Sequence, residues 1–224
     1  MTFPLQSLQS MAIVMEYASG GELKEYLQKR GRLEEKEAYE IFNQLLLSVD
    51  YCHQKRIVHR DLKLSNIVFS SPHSKDIRVV DFGISGVYAP LSKSDKSLAG
   101  SLKYLAPEVI THKNTAADPA LDIFSLGVIL YALVVGKLPF DGTDQAEIKR
   151  KIVSCEYSYP PNVKVSEACK DLIASMLKTD PRDRIPLKEI QHHEWVKTVH
   201  LAREESKQSF MSSVHEASIN IPDA

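Results

Sequence analysis

Apolar residues fall along the chain in short runs, one long periodic stretch and one block with almost no polar interruption. Ala12-Ile13-Val14-Met15 reads as a short buried strand, closed by the turn formers Ser19-Gly20-Gly21. Residues 22–29 predict a short helix that Gly31 stops. Over residues 34–54, Ala38, Ile41, Phe42, Leu45, Leu46, Val49 and Cys52 recur at steps of three and four, so one face of a long helix turns to a core. Ile57-Val58, Ile67-Val68-Phe69 and residues 77–80 are apolar runs between polar loops and predict small strands. Residues 121–135 are apolar nearly all round, which predicts a helix in the middle of a domain. Amphipathic helices follow over 144–154, 166–177 and 186–192. Two segments lack pattern: residues 84–103, rich in Ser, Lys and Gly, and the polar end, where 202–224 is expected to be a mobile tail.

Composition narrows the class. With 43% hydrophobic and 25% charged residues among 224, a packed core needs no disulfide or metal staple. A net charge of -1 provides neither a basic field for nucleic acid nor a polybasic membrane patch, so neither is expected as a partner. Cys52, Cys155 and Cys169 are scattered without a CxxC pair, which suits buried thiols in a reducing compartment. The start has no basic region ahead of an apolar run, and residues 123–135 are too short to span a bilayer. A soluble cytoplasmic protein, with the nucleus as a second location, is the expectation.

The candidate chemistry lies in two loops. His59-Arg60-Asp61-Leu62-Lys63-Leu64-Ser65-Asn66 supplies a carboxylate, a cation and an amide oxygen between two apolar runs. Twenty residues beyond Asp61, Asp81-Phe82-Gly83 leaves the run 77–80, with Gly83 giving the backbone room to turn. A carboxylate to orient a hydroxyl, hard oxygens for Mg²⁺ and a positive charge are what phosphoryl transfer requires. Taken singly, the same residues also describe solvated turns.

In combination, these segments resemble the protein kinases. HRDLKLSN is similar to the kinase catalytic loop, Asp81-Phe82-Gly83 to the metal-binding motif, and Ala106-Pro107-Glu108 to the motif closing the activation segment, in the family's order. Met15-Glu16-Tyr17-Ala18 resembles the hinge between the two kinase lobes, and Gly20-Gly21-Glu22 the start of the following helix. Asp122-Ile123-Phe124-Ser125-Leu126-Gly127 resembles the central buried helix, and Asp183-Arg184 the late arginine motif. The resemblance implies a mainly α fold, the large kinase lobe with a few short strands around the catalytic loop, over residues 12–197. Residues 1–11 are then a non-kinase or disordered leader and 198–224 a flexible tail.

Carried over, the resemblance makes Asp61 the catalytic base, Lys63 the γ-phosphate contact, and Asn66 and Asp81 the Mg²⁺ ligands, with Mn²⁺ as a substitute. Lysine at position 63 implies serine/threonine specificity. ATP would meet the hinge at Met15, Glu16 and Ala18, with Val68 as a wall and Glu22 near the ribose. Arg60 would receive an activation-segment phosphate, with Ser97 as the candidate phosphosite for an upstream kinase, or as one serine among several in a loop. Ser101 would reach Asp61. His59 and Phe82 would pack together, Asp122 would be structural, and Glu108 would pair with Arg184. The stretch SLGVILYALVVGKLPF resembles the calmodulin-dependent and AMP-activated kinase group, although Ser65 stands where many arginine-directed members carry glutamate. Protein substrates bearing Ser or Thr are the implied partners.

One part of the pattern has no counterpart. MTFPLQSLQS contains no Lys, Glu or Gly, so no glycine-rich loop and no strand lysine precede Ala12. The sequence therefore predicts a small β-rich lobe that is missing and a strand 12–15 without sheet partners. Two functions remain: a serine/threonine kinase in truncated form, inactive alone, or a non-catalytic module that binds or scaffolds.

Overall fold

The computed structural model describes residues 3–6, 11–82, 102–111 and 118–204. Its centre is the helix Pro119–Val135 (α4), in which every residue from Leu121 to Val135 is buried. Each Leu, Ile or Val there contributes about 1.5–3 kcal/mol by leaving water, which is why an all-round apolar helix settles at the middle of the molecule. Asp118 caps its start by accepting from the Ala120 N–H at 2.9 Å. Gly136 ends it at φ 87°, and a Cβ there would lie 2.2 Å from the Gly31 carbonyl oxygen, so only glycine fits.

The remaining elements surround α4. The helices Leu23–Arg30 (α1) and Glu35–Gln54 (α2) are joined by a turn whose Leu33 N–H donates to the Leu133 carbonyl at 2.8 Å. The helix Glu167–Met176 (α6) packs on α4 from another side and is capped by Ser166. The short helix Pro107–Ile110 (α3) packs on the helix Gln145–Val153 (α5), and the short helix Leu187–Ile190 (α7) packs on α2. A last helix, α8 over 194–204, lies on α2 through Trp195 and His200. It runs seven residues beyond 197, where the polar pattern ends the domain. Trp195 and His200 hold it down, a tertiary anchor that periodicity does not reveal. Residues 205–224 lie outside the described residues.

Two small antiparallel pairs complete the fold. Ile67–Phe69 (β3) pairs with Ile77–Val79 (β4), Ile67 opposite Val79. Phe3–Gln6 (β1) pairs with Met11–Val14 (β2), Phe3 opposite Val14, so the strand expected to be bare has a partner. Ile57-Val58 is not a strand. The Ile57 N–H bonds back to the Cys52 carbonyl at the end of α2, and the segment joins no ladder among the described residues. No helix among the described residues is long and apolar enough to cross a membrane.

Candidate active site

The catalytic loop starts from a buried carboxylate on α4. Asp122 is fully buried; its Oδ2 accepts from the His59 N–H and its Oδ1 from the Arg60 N–H, both at 2.9 Å. His53, in the last turn of α2, brings Nε2 to 2.8 Å from the same Oδ2. Three donors thus share one carboxylate, and they hold Arg60 at φ 68°, a left-handed conformation that arginine avoids without such support.

His59 is packed rather than reactive. Its Nδ1 accepts from the Asp61 N–H at 3.3 Å, so the proton resides on Nε2, which donates to the Val80 carbonyl at 3.1 Å. The Phe82 ring lies against it, centroids 4.6 Å apart. Both ring nitrogens are occupied, and His59 thereby ties the catalytic loop to the end of β4.

Asp61, Lys63 and Asn66 converge. Lys63 Nζ donates to Asp61 Oδ2 at 2.6 Å, and Asn66 Nδ2 donates to the Asp61 carbonyl at 2.9 Å and to Oδ2 at 3.2 Å. Both side-chain bonds fall on Asp61 Oδ2, and neither is made to Oδ1. Asn66 is buried on the 3-10 turn Leu64–Asn66, and since its Nδ2 is engaged, Oδ1 is the end left for a cation. The β3–β4 pair carries Asp81 to the same place: the Val80 N–H donates to the Asn66 carbonyl at 2.9 Å, and Asp81 follows at φ 65° with its side chain exposed. An amide oxygen and one carboxylate fit Mg²⁺, which completes its shell with water and phosphate. Among the described residues no group of three or more His, Cys, Asp or Glu forms a cage.

The segment Gly20-Gly21-Glu22, which follows residues 15–18, meets β3. Gly20 N–H donates to the Phe69 carbonyl at 3.0 Å, Phe69 N–H to Gly21 at 3.0 Å, and Glu22 bridges to Val68. A Cβ on Gly20 would lie 2.5 Å from both Phe69 Cβ and the Ser71 carbonyl, so glycine lets the two backbones approach. Val68 is half-buried beside this bridge. Met15, Glu16 and Tyr17 are exposed, at 67% for Met15 and 85% for Tyr17, and Ala18 is half-buried.

Glu108 and Arg184 form a bidentate pair, Nη1 to Oε1 at 2.7 Å and Nη2 to Oε2 at 2.6 Å, with both side chains buried. Arg184 also donates to the carbonyls of Lys178 and Ala120 and stacks over Phe124. Gly83, Ser97 and Ser101 lie outside the described residues. Burial raises the thiol pKa of Cys52, Cys155 and Cys169 above the ordinary value.

The sequence reading did not single out His53. Its signal is faint: a polar ring in the last turn of α2, one residue from Cys52 on the core face. Tyr104, expected from the sequence to be a packing residue, is buried in the core, and burial pushes its hydroxyl up to about 12.

Comparison with known proteins agrees with this geometry. A model of the protein kinase domain matches residues 4–196, beginning inside β1. The chain is 38% identical over 192 residues, 86% of its length, to a probable serine/threonine-protein kinase MARK-A of Dictyostelium discoideum. It is 43% identical over 183 residues, 82% of its length, to the serine/threonine protein kinases OSK3 and OSK4 of Oryza sativa subsp. indica. The chain spans 18% of the first relative and 35% of each of the others.

Proposed function

The chain belongs to the eukaryotic-type serine/threonine protein kinases, and on that premise we propose that its described lobe carries the phosphotransfer chemistry of a kinase acting on protein Ser or Thr hydroxyls. The supporting observation is the convergence of Asp61, Lys63 and Asn66, with Asp81 delivered beside them by β4. Asp61 Oδ1 accepts the hydrogen bond of the substrate hydroxyl and orients it for attack. Lys63, anchored on Asp61 Oδ2, places its charge where a transferring phosphate needs it. Asn66 Oδ1 and Asp81 would hold the Mg²⁺ that the family uses with ATP, which neutralises charge on the phosphates. Backbone groups of Glu16 and Ala18 meet adenine, with Val68 as a wall and Glu22 at the ribose. An upstream kinase acting on Ser97, with Arg60 as the receiving cation, and a cytoplasmic setting belong to the same reading.

The test is Mg-ATP phosphotransfer by the purified chain to a serine peptide, beside Asp61→Asn. The sequence expects the chain to be inactive alone, so transfer that Asp61→Asn abolishes would overturn that expectation and support this assignment; transfer that survives the change overturns the assignment of Asp61. Peptide and nucleotide binding without any transfer would identify a binding module instead.

A further inference from the structure

A cleft of about 410 Å³ opens between α1, α2 and the turn that joins β3 to β4. Ile41 and Phe69 form its buried floor, and Tyr26 and the exposed Pro72 line its sides. The Tyr26 ring stands edge-on to Phe69, centroids 5.1 Å apart. Gln44 holds the turn in place: its Nε2 donates to the Lys75 carbonyl at 3.0 Å and its Oε1 accepts from the Ile77 N–H at 3.1 Å. The acidic groups of the rim already have partners. Glu37 accepts from the Tyr26 hydroxyl and from Arg30, and Glu40 pairs with Lys75 at 3.0 Å. What the cleft still offers an occupant is its apolar surface, which is covered by water only at a cost.

The chain itself leads to this cleft. The last turn of α8 reaches its rim, where Arg203 Nε lies 3.3 Å from Glu40 Oε1. Residues 203–209, Arg-Glu-Glu-Ser-Lys-Gln-Ser, offer nothing apolar; Phe210-Met211 then follows, and Phe210 is the single Phe, Tyr or Trp from 205 to 224. The six residues from 204 to 210 reach up to about 20 Å when extended, and the cleft begins at the residue that Arg203 already touches. A short tether also holds its own end at an effective concentration on the order of millimolar, so apolar contacts too weak to retain a free peptide suffice in cis.

We propose that Phe210 and Met211 occupy this cleft, with Phe210 against Tyr26, Ile41 and Phe69, so that the segment after α8 is docked where the sequence pattern expects a mobile tail. The occupant braces the β3–β4 turn, and with it Gly20, which lines the cleft and donates to the Phe69 carbonyl.

Photo-crosslinking in the full chain tests this. A benzoylphenylalanine in place of Ser212 leaves Phe210 and Met211 intact and reports what lies beside them. The expected product is an intramolecular cross-link to residues 20–26, 37–41 or 69–75, located by mass spectrometry. Phe210→Ser, or Pro72→Glu on the opposite side of the contact, should abolish it, and thermal melts check that both variants fold. A cross-link to another part of the chain, one between two copies, one that survives Phe210→Ser, or none at all overturns the proposal. Trypsin gives a second readout. Cutting after Lys207 should be about tenfold slower in the wild-type chain than in Phe210→Ser, because a docked segment must open before it is cleaved. Equal rates in the two chains overturn the proposal as well. Neither measurement needs phosphotransfer, so the docking stands or falls apart from the kinase reading.

Discussion

Two buried carboxylates, Glu108 and Asp122, do different work with the same chemical group. Glu108 is matched by a single guanidinium, two parallel bonds from Arg184, 76 residues later in the chain. Asp122 has no such partner; it spends its oxygens on the backbone N–H groups of His59 and Arg60 and on His53. The first joins side chain to side chain and fastens α3 to the turn after α6. The second joins a side chain to the backbone of a loop, and therefore fixes where the next residue, Asp61, stands. One is a staple, the other a positioning device, and the two should fail differently.

The largest effect is expected from breaking the staple on one side. Arg184→Leu leaves Glu108 buried without its cation and should cost about 3–5 kcal/mol in urea unfolding. Pairing it with Glu108→Leu should restore much of that loss, because two apolar residues leave no orphaned charge. A single variant within about 0.5 kcal/mol of wild type, the range of ordinary surface changes, would show that the pair is not a staple.

Asp122→Asn tests the other half of the comparison. Asparagine keeps one acceptor but turns an NH₂ group toward a backbone N–H, so one donor is orphaned at about 1–3 kcal/mol. Its effect on phosphotransfer should be larger than its effect on stability, on the order of 100-fold in kcat, since a shift of about 1 Å at Asp61 is enough. Equal proportional losses of activity in Arg184→Leu and Asp122→Asn, measured where both remain folded, would erase the distinction. His53→Phe sharpens it with a smaller effect on activity. The backbone bonds to Asp122 remain, and losing the imidazole bond should cost about 1.5–3 kcal/mol, as for bonds to charged groups. Its kcat should fall by less than that of Asp122→Asn.

How much of this the sequence displayed follows from the type of interaction. Periodicity showed α2 and α4, because burial of one face or of all faces is written directly into residue spacing. Glu108 and Arg184 were legible as a pair because each sits in a recognisable motif. Asp122 was legible only as structural, since its partners are backbone N–H groups and backbone carries no sequence signal. His53 was missed for a related reason: its role exists only once α2 and α4 are packed. The helical extent of α8 was hidden behind polar residues, because its hold on α2 depends on individual side chains such as His200. The strand partner of β2 was equally hidden, since PLQ in β1 has little strand character of its own.

The smallest effect concerns a third carboxylate, which lies between the two types. Glu35, the first residue of α2, accepts the Trp195 indole N–H at 2.7 Å and both the N–H and hydroxyl of Ser166. It thus joins a side chain and a backbone at once, but far from the catalytic loop. Trp195→Phe removes one of three donors while keeping an aromatic ring against Tyr39 and Phe42. The expected loss is about 1 kcal/mol in unfolding, the usual net value of one hydrogen bond, because Ser166 still satisfies the carboxylate. Peptide phosphotransfer should be unchanged, since nothing in this cluster touches the backbone of His59 to Asn66. A fall in kcat with stability intact would mean that α8 reaches the active site through α2 and His53, and that positioning in this lobe extends well beyond Asp122.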